Sequence, residues 1–330
     1  MEEIHNNIEL RKPLVTIAVL TYNSSEYVLE TLESVKRQTY PNIELIISDD
    51  GSKDDTVSKC RNWLEENKGR FVDVKLIAEK NIGVSGNTNR ALYKANGEWF
   101  KDLAGDDILP TDAVENHLSF IEAHPNVNYF FGKEIFFYGS FSDSNFRPKR
   151  MPFRYVFFGE GVTAKRQYNL LTRLFFGAPT ASFGRTSAIK SVGGYNERIP
   201  LTEDGPLYLA LTKAGYKLGY MDVFSVYRRI HSRSATQTVA DNAILSTAEV
   251  NNYMNYSWWD LQAENSTPFW KRMYVISTFL WRKVIENGND KRSFKCRFYD
   301  FLRRILNPYK YNMIVLYIEE FICRLIHFDL

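Results

Sequence analysis

Leu14-Val-Thr-Ile-Ala-Val-Leu20 is a short apolar run rich in β-branched residues, and it stops abruptly at the polar cluster Thr21-Tyr-Asn-Ser-Ser25. A run of that length and composition fits a strand buried on both faces of a parallel sheet. Beyond the cluster, Val28, Leu32 and Val35 recur at helical spacing, with Glu26, Glu30, Glu33, Lys36 and Arg37 filling the other face. This predicts a helix capped near Ser24 or Ser25.

The alternation continues outward from there. Ile43–Ile47, Val72–Ala78 and Trp99–Leu103 read as strands, and Asp54–Asn67 and Val84–Ala95 as helices. Repeated strand–helix units imply a parallel sheet with helices on its faces, and ligands of such sheets bind beyond the carboxyl ends of the strands. The clusters Thr21-Tyr-Asn23, Asp49-Asp-Gly-Ser52 and Gly105-Asp-Asp107 each follow a predicted strand, so all three should converge on one crevice. Past Asp112, paired with Glu115 in a predicted capping box, the pattern changes. An aromatic strand is expected over Tyr129–Tyr138, short strands over Leu218–Met221 and Phe224–Arg229, and only helices from Ala240 onward. Thr267-Pro268 marks one helix start, and Ile314, Ile318, Phe321 and Leu325 mark a last amphipathic helix.

Composition narrows the class. With 330 residues, 44% of them hydrophobic, and 23 Phe, 20 Tyr and 6 Trp, the chain can bury a large core. A net charge of +3 without an arginine-rich arm or zinc-finger spacing argues against nucleic acid as a partner. Cys60, Cys296 and Cys323 are odd in number and far apart, so no disulfide framework is expected. The polar start, Met1 to Lys12, resembles no signal peptide, and no run spans a bilayer; a cytoplasmic protein is expected. No Gly-x-Gly-x-x-Gly follows the first strand and no P-loop occurs, which disfavours a dehydrogenase or a P-loop enzyme.

The adjacent carboxylates of Asp106 and Asp107 repel each other unless a cation or hydrogen-bond donors compensate. A hard ion such as Mn²⁺ or Mg²⁺, completed by substrate phosphates, would do so; a solvated loop is the alternative. Asp50 is placed to accept a hydrogen bond from a nucleobase and Tyr22 to offer a ring face, against the alternative of an ordinary Asp-Gly turn.

Taken together, Leu20-Thr-Tyr-Asn23, Ser48-Asp-Asp-Gly-Ser-Lys-Asp-Asp-Thr56, Asn81-Ile-Gly83 through Asn89, Gly97-Glu-Trp99, Ala104-Gly-Asp-Asp107 and Thr202-Glu-Asp204 resemble, in order and spacing, the family-2 glycosyltransferases. The resemblance covers roughly residues 13 to 230. It implies an α/β fold of the GT-A type, a Rossmann-like, mostly parallel sheet flanked by helices, followed by a helical C-terminal extension. It implies inverting transfer from a nucleotide diphosphate sugar, with a UDP-sugar as the expected donor, to a glycan or lipid-diphosphate-linked acceptor in bacterial capsule or O-antigen assembly. A non-catalytic sugar-nucleotide-binding protein on the same fold is the alternative.

By matching motifs, Leu20 and Tyr22 line the base pocket, Asp50 binds the base, Asp106 lies against ribose and metal, Asp107 ligates the metal, and Asp204 is the catalytic base. Glu203 supports Asp204 or the acceptor, or is simply a first-turn residue at a helix N-terminus, and Arg228, Arg229 and His231 either contact the leaving group or carry solvated charges on a surface hairpin. Family members often carry an acid where Ala104 stands and an Arg where Thr88 stands, which implies a leaner metal site and one phosphate contact fewer. The expected organisation is a tail over 1–12, a catalytic domain over 13–235 with a nucleotide-binding half (13–110) and an acceptor half (111–235), and a helical extension over 236–330. Between Arg282 and Lys310, nine Lys or Arg face only Glu286, Asp290 and Asp300, interleaved with Phe294, Phe298, Tyr299, Phe301 and Leu302. Such a segment either lies on the anionic inner leaflet of a membrane or caps the catalytic domain with its aromatic residues in the core.

Overall fold

The computed structural model describes residues 12–139, 141, 146–148, 153–173, 181–199, 204–231, 243–246, 249–250 and 257–328. Its centre is one mixed sheet. β1 (Val15–Thr21) pairs in parallel with β2 (Ile43–Asp49) and β4 (Trp99–Ala104), and β2 with β3 (Asp73–Ala78). The helices α1 (Val28–Lys36), α2 (Thr56–Asn67) and α3 (Gly83–Lys94) alternate with these strands. The sheet then continues without a break: β7 (Ser182–Arg185) joins β4 antiparallel, β5 (Tyr129–Tyr138) joins β7 antiparallel, and β8 (Leu218–Ile230) lies parallel to β5. β6 (Arg147–Pro148) is a two-residue antiparallel addition to β5. The sheet is mostly parallel, as expected, with the antiparallel pairings confined to β6 and β7, and it runs straight across residue 110.

The first two strands are inaccessible along almost their whole length, as their unbroken apolar runs require. Three local expectations are corrected. α1 starts at Val28 behind Tyr27, with no serine side-chain cap; the Ser24 carbonyl instead accepts the N–H groups of Tyr27 and Val28 in a preceding turn. Asp112 precedes α4 (Ala113–Ala123) without making a side-chain cap, so no capping box forms there. Leu218 to Ile230 is one long strand with register shifts opposite Lys133, in place of two short ones.

Short helices α5 (Arg154–Phe158), α6 (Ala164–Leu171), α7 (Thr186–Ser191) and α8 (Asp204–Lys213) surround the second half of the sheet. Among the described residues after 256 all regular structure is helical: α9 (Trp258–Asn265), α10 (Pro268–Glu286), α11 (Phe294–Ile305) and α12 (Pro308–Phe328). A genuine capping box opens α9, with Ser257 and Asp260 bonding each other's backbone. These helices are attached to the rest. Trp258 and Leu316 enter the main core, and the Glu320 carboxylate accepts the N–H groups of Tyr155 and Val156 at the start of α5, each at 3.0 Å. All three cysteines are free thiols.

Candidate active site

The loops after β1 and β2 are bonded into one unit. Thr21 Oγ1 donates to Asp49 (2.8 Å), and the other Asp49 oxygen accepts the N–H groups of Gly51 and Ser52. Ser52 Oγ accepts the Asn23 N–H, and Asn23, whose φ of 50° is left-handed, accepts the Lys53 N–H in return. This leaves Tyr22 exposed at the rim, 53% accessible, with Leu20 partly buried below it.

Asp50 is turned inward. Its two carboxylate oxygens accept the N–H groups of Ile82 and Gly83, both at 2.9 Å, so it holds the first turn of α3, where free N–H groups and the helix dipole favour an anion. A nucleobase N–H would share an oxygen already in use, which the four lone-pair sites of a carboxylate permit. Arg90 reaches Asp50 at 3.6 Å and also donates to the Lys80 carbonyl. Thr88, at the position of the family's arginine, spends its hydroxyl on Val84 O instead. Arg90 was not singled out in the sequence; its one signal there is that it follows Asn87-Thr-Asn89.

The loop after β4 sits hard against β1. A side chain at Gly105 would come within 2.8 Å of Thr21 and 3.1 Å of the Leu20 carbonyl, so glycine is required for this approach. The following residues are tied to the end of β8. Ile108 and Tyr227 exchange backbone hydrogen bonds, Arg229 N–H donates to Asp107 Oδ1 (2.9 Å), and His231 Nε2 lies 3.0 Å from Asp106 Oδ2. Asp106 is the more accessible acid of the two. Asp107 is buried, and burial, then the charge of Asp106, pushes its carboxyl well above the usual carboxylate range, against the pull of Arg228 and the Arg229 N–H.

Arg229 is committed to the protein. Its guanidinium donates to Asp106 O, Gly139 O and Glu30, and lies between the rings of Tyr27 and Phe137 at 4.4 and 4.6 Å. It positions the acidic loop, whereas Arg228 is packed only at 5.9 Å on Phe136. Tyr27 in turn lies 4.9 Å from the His231 ring.

Behind the acids lies a buried polar group that went unremarked in the sequence. Lys101 and Asp102 are inaccessible in β4, with Lys101 Nζ on the Asp102 carbonyl at 2.6 Å and Asp102 accepting from Ser182. Burial pulls the Lys101 ammonium down, while the charges of Asp102, Asp107 and Glu134 hold it up. The available signal was two adjacent charges inside a strand whose neighbours are apolar on both faces.

Asp204 opens α8 and is buried, its carboxylate accepting the Gly205 N–H. The chain leading to it is anchored on α3: Ser85 Oγ donates to Ile199 O, and Asn89 both donates to and accepts from Tyr195. Ser85 is two residues past the Gly83 that Asp50 holds, so one helix turn positions both the Asp50 loop and the approach to Asp204. Glu203 lies outside the described residues. Beside this approach a cavity of about 700 Å³ opens between α3, residues 192–197, α8 and α9, lined by Asn89, Tyr93, Tyr195, Glu197, Lys213 and Glu264 among others.

The family model of glycosyl transferase family 2 matches residues 16–193, which contain every one of these loops up to the approach to Asp204. The chain belongs to glycosyl transferase family 2. A sequence relative is the UDP-Glc:alpha-D-GlcNAc-diphosphoundecaprenol beta-1,3-glucosyltransferase WfaP of Escherichia coli, 36% identical over 136 residues, covering 39% of this chain and 51% of that protein. The chain spans about half or less of the length of the first curated relatives it matches.

Two solved structures share the GT-A fold. TarS 1-349 of S. aureus in complex with UDP-GlcNAc aligns with a TM-score of 0.56 at 19% identity, covering 82% of this chain and 72% of that one. The mannosyltransferase PcManGT of Pyrobaculum calidifontis, in complex with GDP-Man and Mn²⁺, aligns with a TM-score of 0.52 at 17% identity, covering 88% and 69%. Among the described residues of the family-2 chain, no group of three or more His, Cys, Asp or Glu is arranged to hold a metal ion. The Asp106–His231 pair beside Asp107 fits a leaner site, in which substrate phosphates fill most positions around the ion.

Proposed function

We propose that the protein is an inverting glycosyltransferase that moves a sugar from a UDP-sugar to a hydroxyl of a glycan or lipid-diphosphate-linked acceptor in bacterial surface-polysaccharide assembly. The observation that carries this reading is the bonding of the Asp106-Asp107 loop to the last strand through His231 and Arg229, above the Tyr22 and Asp50 loops. The names of WfaP and of the TarS complex support a uridine nucleotide, and that of WfaP a diphosphate-linked lipid acceptor.

In this mechanism Tyr22 covers the base and Leu20 lines its pocket, with Asp50 below. Asp106 and Asp107 hold a divalent ion, Mn²⁺ or Mg²⁺, which when bound supplies positive charge against the departing diphosphate. Asp204 takes the proton of the acceptor hydroxyl as its oxygen attacks the anomeric carbon; the bond from that carbon to the diphosphate oxygen breaks, and the nucleoside diphosphate leaves with the electron pair. Inversion follows from attack on the face opposite the leaving group. In this reading Arg228 and His231, from the end of β8, contact the diphosphate, and Glu203 supports the base or the acceptor.

The acceptor is assigned to the 111–235 half, and the cavity beside the approach to Asp204, lined largely by residues 192–213 with α3 and α9 completing it, supports this. Residues 13–110 form the donor half and 236–330 a helical extension. Among the described residues no helix is long and apolar enough to cross a membrane. The setting proposed with this reaction is the cytoplasm or the cytoplasmic face of the membrane. Calorimetry with UDP, GDP and CDP, with and without Mn²⁺, tests the donor class. Metal-dependent binding of UDP alone is expected; preference for GDP or CDP would overturn the uridine assignment, and no binding at all would overturn the transferase reading.

A further inference from the structure

Helix α11 packs on the protein by a mixed face, in which Tyr299 lies against the apolar cluster of Leu245, Trp281 and Val284. Cys296 is its buried residue, Asp300 pairs with Arg303 and Arg304, and the Arg303 guanidinium lies 3.9 Å from the Trp281 ring. On the opposite side Phe294, Phe298, Phe301 and Ile305, spaced i, i+4, i+7 and i+11, form one narrow stripe that is 74, 48, 58 and 41% exposed. A helix that serves only a core has its apolar stripe inward. Lys295 stands on one flank of this stripe and Arg297 and Arg304 on the other, by their helical positions.

Helix α12 repeats the arrangement. Leu316 and Glu320 are buried, while Ile314, Ile318 and Phe321 point outward, 62, 57 and 63% exposed, with Val315, Tyr317 and Ile322 beside them. Helix α10 packs against both and exposes Phe269, Val275, Ile276 and Phe279. Of the 24 large hydrophobic residues exposed on the described chain, 14 lie on these three helices, so the apolar surface is concentrated rather than scattered.

Charge decides what covers it. Glu286, Asp290, Asp300, Glu319 and Glu320 are each ion-paired with a cation of the chain. Among the described residues Lys271, Arg272, Lys291, Lys295, Arg297 and Lys310 make no ion pair, so the apolar face has a positive border. A second copy docking through the same patch would bring two such borders together, a like-charge contact. An anionic lipid surface complements both the charge and the apolar stripes.

We propose that α11 and α12, with the outer face of α10, lie in the headgroup plane of an anionic bilayer, with Phe298, Phe301, Ile318 and Phe321 seated among the upper acyl carbons. The inference does not depend on the transfer reaction. Co-sedimentation of the full chain with vesicles of phosphatidylcholine, alone or mixed with phosphatidylglycerol, tests it without donor or acceptor. Strong binding only to the mixed vesicles is expected, weakened about tenfold or more in a Phe298→Ser, Phe301→Ser variant and about fivefold in Lys295→Ala. Because these side chains are exposed, unchanged melting and unchanged nucleotide binding are expected of both variants. Failure to bind the mixed vesicles, or binding undiminished in the serine variant, overturns the proposal. A dimer in sedimentation velocity that the serine variant dissolves would overturn it in favour of a second copy.

Discussion

His231 Nε2 and Asp106 Oδ2 lie 3.0 Å apart although 125 positions separate them, and this contact joins the acidic loop after β4 to the end of the sheet's last strand. The imidazole therefore fixes the orientation of the more accessible acid of the pair. His231→Ala is expected to weaken metal-dependent UDP binding about tenfold, in the range seen when a group orienting a metal ligand is lost. Equal UDP affinity of variant and parent in Mn²⁺ would refute this role.

Asp204→Asn removes the proposed proton acceptor while keeping the size and the oxygen that accepts the Gly205 N–H. Turnover should fall by about 10² to 10⁴ with UDP affinity unchanged. A variant that turns over at the parental rate would shift the base to another group.

Asp107→Asn should stabilise the metal-free protein while lowering transfer by about 10² or more. The folded Asp107 carboxyl is pushed up by burial and by Asp106, so the fold favours its protonated form. A group raised in this way contributes its stability only at low pH and loses it as pH rises through the folded value. The asparagine, neutral at every pH and able to accept the Arg229 N–H, escapes that loss. The gain in melting temperature should be largest above neutrality and vanish as pH falls into the ordinary carboxylate range; a gain independent of pH would point to a packing effect instead.

His117 gives a dependence of the opposite sign. It is wholly buried on α4 with Nε2 2.9 Å from Ser225 Oγ, and burial, then the charge of Lys101, holds it well below its ordinary value of 6.5. The unfolded chain takes up a proton near pH 6.5 that the folded chain refuses, so stability should decline as pH drops below that point. Denaturant midpoints between pH 8 and 5 should fall less steeply for His117→Gln than for the parent; identical slopes would assign the dependence to other groups.

Much of the architecture was legible in the sequence because the first four strands are short, mainly apolar runs, each broken by no more than two charged residues, that alternate with amphipathic helices. The three polar clusters lie where that pattern puts them, at strand ends. Less legible was the second half. Leu218–Ile230 reads as two strands because Asp222 interrupts the apolar pattern, yet the backbone passes through with shifted register and the aspartate pairs with Lys133 and Arg154. Arg229 looked like a solvated or substrate-facing cation; nothing local shows that Tyr27 and Phe137, distant in sequence, enclose it. For α11 the sequence left two readings open, since a stripe of phenylalanines at helical spacing is compatible with a core or with a surface; Phe294, Phe298 and Phe301 are exposed.

The strand that delivers Arg228, Arg229 and His231 is the last one of the sheet and lies beside β5, far from β1 in the strand order. On the ribosome, the Tyr22, Asp50 and Asp106 loops are made long before the groups that close over them. The first three strand–helix units can pair as they emerge, but the acidic loop acquires its backbone partner at Tyr227 and its imidazole only once the chain has passed residue 231. Until then the nascent chain holds the crevice without Arg228, Arg229 and His231, so the nucleotide binding proposed above would arise late in synthesis, once the sheet is complete.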